Sequence, residues 1–152
     1  MREKKYLWTK ITKYLLDGMY FGGMIVTVTL PFSLKWIGEH YLPGVSEHFL
    51  PALLVYVILG ILAVLLIGEL RKMFRTVLEE NCFVRENVRS LNRMSVYAAF
   101  IAVMSVVRML VYATLAMCVV ILVFVIAGLF SRVLAMVFEQ AVTYKEENDL
   151  TI

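Results

Sequence analysis

Of 152 residues, 61% are apolar and 18% are charged, and the mean hydropathy is +0.80. A soluble domain of this size has too little polar surface to carry that load, which argues against a water-soluble enzyme. The net charge of +3 gathers in a few connections, where anionic lipid accounts for it without direct contact to nucleic acid.

Apolar runs of about 20 residues match a hydrocarbon core of about 30 Å at 1.5 Å per residue, so the chain reads as an all-α integral membrane protein. Spans are expected at residues 14–34, 49–68, 94–111 and 114–136, forming a four-transmembrane-helix bundle that makes residues 1–152 one membrane domain. Five Lys or Arg within residues 1–13 precede the first span. Its length and the lack of an Ala-x-Ala cleavage pattern mark it as a retained helix rather than a signal peptide. Pro31 marks its end. Asp17 lies about one turn inside it, and an intramembrane carboxylate suggests a proton or cation path. Lys13, one turn away, offers a local pairing near the headgroups as the simpler account. Gly18 and Gly22 have the Gly-x-x-x-Gly spacing that admits a neighbouring helix, and Ala127, Ser131 and Ala135 offer a matching small-residue stripe on the fourth span. Packing within the bundle is the ordinary reading, and a homo-oligomer the secondary one.

The connection 35–48 holds Trp36 and Tyr41, aromatic residues of interfacial type, and a turn signal at Pro43-Gly44. The pairs Glu39-His40 and Glu47-His48 flank that turn. Imidazole and carboxylate together can hold zinc or copper, but nothing fixes their geometry, so solvated loop residues are the ordinary reading. No metal or cofactor is assigned. Pro51 opens the second span in its first turn, where a missing backbone donor costs least.

Residues 94–136 are almost unbroken apolar sequence; as one helix these 43 residues would reach about 64 Å, twice the hydrocarbon thickness. A hairpin is therefore expected, with Arg108 near its turn, because an arginine at mid-bilayer costs at least about 2.5 kcal/mol. Six Lys or Arg fall in residues 69–93 and one in 35–48. The positive-inside rule then places residues 1–13 and 69–93 in the cytoplasm, and the hairpin returns residues 137–152 to the same side. Cys82 and Cys118 differ in depth, and no disulfide is expected.

Within 69–93, Leu70, Met73, Phe74, Val77 and Leu78 share one helical face, with Arg71, Arg75 and Glu79 opposite; Val84, Val88 and Leu91 repeat the pattern after a break at Asn81-Cys82-Phe83. Two short amphipathic helices forming a cytoplasmic hairpin are the expectation. Lying on the inner leaflet is the ordinary reading and a docking face for a partner the alternative. The tail, with Glu146, Glu147, Asn148, Asp149 and Leu150, is acidic and then apolar. Two roles are open to it: clasping Arg85, Arg89 or Arg93 of the same chain, or adding Leu150 to Ile152 as a strand to a partner's sheet.

The stretches Glu69-Leu70-Arg71-Lys72 and Cys82-Phe83-Val84-Arg85-Glu86-Asn87-Val88-Arg89-Ser90-Leu91, with the ending Lys145-Glu146-Glu147-Asn148-Asp149-Leu150-Thr151-Ile152, resemble a bacterial four-span membrane family known as domain of unknown function 2975. The resemblance extends over essentially the whole chain. Cys82 stands where such proteins often carry proline. The resemblance implies four spans, cytoplasmic termini in a bacterial cytoplasmic membrane, and frequent neighbourhood with small helix-turn-helix regulators.

No nucleophile with its base, phosphate-binding glycine loop or paired cysteine motif is present, so no catalytic residue is assigned and the chain is not expected to be an enzyme. The leading expectation is a membrane protein that binds or senses a cytoplasmic partner, such as a small helix-turn-helix regulator. The surface for that partner, or for membrane lipids, would comprise Arg71, Arg75, Phe83, Arg85, Glu86, Asn87, Arg89, Leu91 and Glu146 to Leu150. A small transporter or oligomeric channel using Asp17 and Arg108 is the alternative.

Overall fold

The computed structural model describes residues 2–41 and 49–150. They form four helices: α1 (Arg2–His40), α2 (Phe49–Leu78), α3 (Arg85–Val111) and α4 (Leu115–Leu150). Each is long and apolar enough to cross a membrane, which makes this a multi-pass membrane protein.

All four helices exceed the roughly 20 residues that a bilayer needs, α1 and α4 by the most. α1, with 39 residues, extends about 58 Å, and α4, with 36, about 54 Å. Pro31 does not end α1, contrary to the expectation. Proline removes one rung of the hydrogen-bond ladder, and the helix resumes beyond it to His40.

The expected pair of separate amphipathic helices within 69–93 is corrected by the structure. Residues 69–78 prolong α2 and residues 85–93 open α3, so the segment is the end of the α2–α3 hairpin and follows the axes of its spans. The apolar stripe is the reason, because it continues the face that packs inside the protein. Met73, Leu91, Met94 and Ala135 are buried in one cluster, with Leu66, Leu70, Leu134 and Phe138 against it. The reversal between the two helices is short. Glu80 has φ 57°, while Asn81 N–H donates to the Thr76 carbonyl at 3.0 Å and Glu80 N–H to the Val77 carbonyl at 3.1 Å. This is a Schellman ending with glutamate at the left-handed position that glycine usually occupies, one residue before the expected stop at Asn81.

The second reversal lies at residues 112–114, within the expected hairpin. It contains neither glycine nor proline. Instead Thr114 caps α4, its Oγ1 accepting from Met117 N–H at 3.3 Å.

Close backbone neighbours are α1–α2, α2–α3 and α3–α4, and among the described residues α1 does not meet α4. The four helices therefore pack in an open row, in chain order. Along α3 the buried positions Leu91, Met94, Ala98, Ile101, Ser105 and Arg108 step by three and four; on α4 Gly128, Ser131, Ala135 and Val142 keep the same period. That is the seam of an antiparallel coiled pair.

Candidate functional site

The start of α1, the end of α2, the start of α3 and the end of α4 lie at one end of the row, and most of the specific polar contacts are there. Asp17 accepts a hydrogen bond from Arg71 Nε at 2.6 Å. The same guanidinium lies 4.5 Å from the ring centre of Tyr20 and 5.5 Å from that of Phe21. Its partner is thus a residue of α2 and not Lys13, and the contact ties α1 to α2.

Glu69 is buried at 6% exposure. Its Oε1 is 3.5 Å from both Lys72 Nζ and Arg93 Nη1. Its Oε2 is buried with no hydrogen-bond partner among the described residues. Burial of a carboxylate is tolerated where cations bracket it, and here they come from two helices.

Asn87 is 2% exposed. Its amide donates to Thr76 Oγ1 at 2.7 Å and to the Cys82 carbonyl at 2.6 Å, binding the first turn of α3 to the end of α2 and to the connection between them. Leu91 is buried as well. Both were expected on an outward surface; they hold the hairpin together instead. Arg75, Glu86 and Arg89 do face outward, and Arg71 is half-buried.

The tail meets this hairpin end directly. Arg85 Nε and Nη2 donate to the two carboxylate oxygens of Glu146 at 3.1 and 2.9 Å, a two-pronged pair. Lys145 Nζ donates to Asn81 Oδ1 at 2.8 Å, and the Phe83 and Phe138 rings meet edge to face with centroids 5.3 Å apart. The hydrogen bond and charge of Arg85 hold the Glu146 carboxyl below its ordinary value, and Glu146 raises Arg85 in the same way. Glu147, Asn148, Asp149 and Leu150 are exposed along the last turn of α4. Because Leu150 is helical, the expected extended strand does not begin there; Thr151 and Ile152 lie outside the described residues.

The remaining expectations lie elsewhere. Arg108 is buried near the opposite end, against the rings of Tyr56 and Tyr112 at 5.5 and 5.0 Å. Near it Ser105 is fully buried with its hydroxyl unpartnered among the described residues. His40 Nδ1 is 2.9 Å from the Trp36 carbonyl and its ring stacks on Trp36; Glu39 is exposed beside it, and Glu47 and His48 lie outside the described residues. No cluster of metal-ligating side chains occurs among the described residues. The small-residue stripes of α1 and α4 do not meet: a Cβ at Gly18 or Gly22 would touch nothing within 4 Å, whereas Gly128 faces Ala98 of α3.

The model of a family described as "Protein of unknown function (DUF2975)" matches residues 34–152, more than three quarters of the chain. The chain belongs to this family. The DUF2975 match starts late in α1, so it takes in the whole α2–α3 hairpin and the tail but leaves Asp17 outside. No curated protein and no solved structure matches.

Glu69 was the main residue whose role sequence reasoning missed. It reads as the first polar residue after a span. The available signal was its spacing from Met73, which puts it on the buried stripe. Asn81 and Lys145 were missed for a different reason, since their pairing depends on how far α4 extends.

Proposed function

We propose that this DUF2975 protein is a binding protein rather than a catalyst, and that its polar end docks a cytoplasmic partner, such as a small helix-turn-helix regulator. One observation carries the reading: a tail helix projects beyond the membrane spans and is held against the α2–α3 hairpin by Arg85–Glu146 and Lys145–Asn81. Such contacts set a fixed relief of charge. Glu86 and Asp149 are among the groups that face outward at this end. The orientation that exposes this end to the cytoplasm rests on the eleven basic residues of 1–13 and 69–93. Transport draws less support, because Asp17 is bound by Arg71 and Arg108 is packed between tyrosine rings.

Affinity purification from native membranes tests the proposal. A small DNA-binding protein should be retained by the full chain and lost on deletion of residues 145–152. Failure of the full chain to retain any soluble protein refutes it.

A further inference from the structure

The cleft between α2 and α3 at the polar end has a volume of about 420 Å³. Its charges are sorted by height. Lys72 and Arg93 stand nearest the apolar spans, Arg75 and Arg89 follow about one turn further out, and Glu79 and Glu86 stand at the far end. The antiparallel course of the two helices sets each pair at a matching level. At 1.5 Å per residue, about 10 Å separates Lys72 from Glu79 along the axis.

Positive charge is in excess in the membrane-proximal half. Lys72 and Arg93 converge on one oxygen of Glu69, and a single carboxylate offsets only one of them. Arg89 makes no ion pair among the described residues. The level also matters. Lys72 lies about 6 Å along the helix beyond Gly68, the last residue of the apolar run, and the headgroup layer on each side of a bilayer is about 5–7 Å deep. A second cleft, of about 510 Å³ between α1 and α2, shares Lys72 and Arg75 and adds Lys13. The ridge of α2 therefore presents cations on both flanks at this depth.

We infer that the α2–α3 cleft seats the phosphate of an anionic membrane phospholipid, with Lys72, Arg89 and Arg93 as its cationic contacts. Glu79 and Glu86 repel a phosphate that rides too far out, and so fix the depth. A soluble phosphate has the same chemistry, but nothing would hold it at the headgroup level. This site does not depend on the partner proposed above.

The test titrates full-length protein in neutral detergent with short-chain phosphatidylglycerol or with phosphatidylcholine of the same chains, and reads retained lipid by native mass spectrometry. The wild type should retain the anionic phosphatidylglycerol in preference. Arg89→Gln, which removes a cation without breaking an ion pair, should cut that retention about fivefold, the share of one cation beside an anionic headgroup. Arg89→Lys should restore it, and Arg85→Gln, outside the cleft, should leave it unchanged. Equal retention of both lipids by the wild type overturns the site, as does equal loss in Arg85→Gln and Arg89→Gln. Displacement of the lipid by an equimolar amount of inorganic phosphate also overturns it, since the cleft would then read a soluble anion.

Discussion

The α1–α2 and α3–α4 pairs are both built from strongly apolar helices, yet they are held together differently. α3 buries 33% of its most apolar window inside the protein, and α1 only 6%. On α3 and α4 buried small residues recur every three or four positions: Ala98, Ala102 and Ser105 on one, Gly128, Ser131 and Ala135 on the other. α1 offers α2 fewer such places. Thr27 sits against Gly60 and Gly23 against Val64, while Gly18 and Gly22 face open space. In lipid no hydrophobic force drives one apolar helix onto another, so close approach depends on small side chains and polar ties. Hydropathy shows which segments enter the membrane; small residues draw helices together only where a partner helix faces them, as at Gly128 and not at Gly18 or Gly22.

The sharpest way to break this comparison is a matched pair of substitutions. A Cβ at Gly128 would already lie 3.5 Å from Ala98 Cβ and 3.6 Å from the Ser95 carbonyl, so Gly128→Leu must push α3 and α4 apart. A loss of roughly 1–3 kcal/mol is expected, measured by thermal unfolding in detergent. Gly22→Leu, with nothing near it, should leave the melting temperature unchanged; equal damage from both would end the distinction.

Asn87 binds α3 to the end of α2 and so couples the two pairs. Asn87→Leu strips the amide from Thr76 Oγ1 and the Cys82 carbonyl, and should cost roughly 1–3 kcal/mol. Faster proteolytic cutting within residues 79–84 would register it. A smaller effect is expected on the α1 side. Asp17→Asn removes a half-exposed ion pair worth at most about 1 kcal/mol, and hydrogen exchange should quicken in the first turns of α1 without change in α3 or α4.

The slightest effect concerns acidity. The Glu146 carboxyl sits below its ordinary value in the folded chain, so its contribution is present above the unfolded carboxylate range and fades as pH falls through the lower folded value. Arg85 is raised from an already alkaline value, so it stays charged throughout neutral and acid pH, and the acid limit of the pair is set by Glu146. Exchange protection of residues 139–150 should therefore decline only in strong acid, and Glu146→Gln should abolish that dependence. A decline near neutrality would contradict the assignment.

The sequence makes the spans legible for a simple reason: hydrocarbon selects runs of apolar residues regardless of what they touch. The α3–α4 reversal was expected between the spans 94–111 and 114–136, with Arg108 near it, from chain length and the cost of a buried arginine, and the structure has it at 112–114. Helix ends were harder to read. The amphipathic pattern of 69–93 is the same whether a helix lies on a membrane or stands upright against another, and only the buried cluster around Met73 and Leu91 distinguishes the two. At the candidate site, the match of opposite charges left open whether the tail would meet the basic segment or a partner, and the structure pairs Arg85 with Glu146. Which carboxylate would be chosen was not legible, because it follows from where α4 begins and from its unbroken run.

That unbroken run turns α4 into a shaft. Glu146 lies 18 residues after Gly128 within one helix, which is five whole turns and about 27 Å, so both look in the same direction. Any rotation of α4 on α3 at Gly128 must swing the Glu146 carboxylate away from Arg85 by the same angle. The ion pair at the water-exposed end is thus a dial geared to a contact inside the membrane, and whoever probes it from outside reads the setting of the seam.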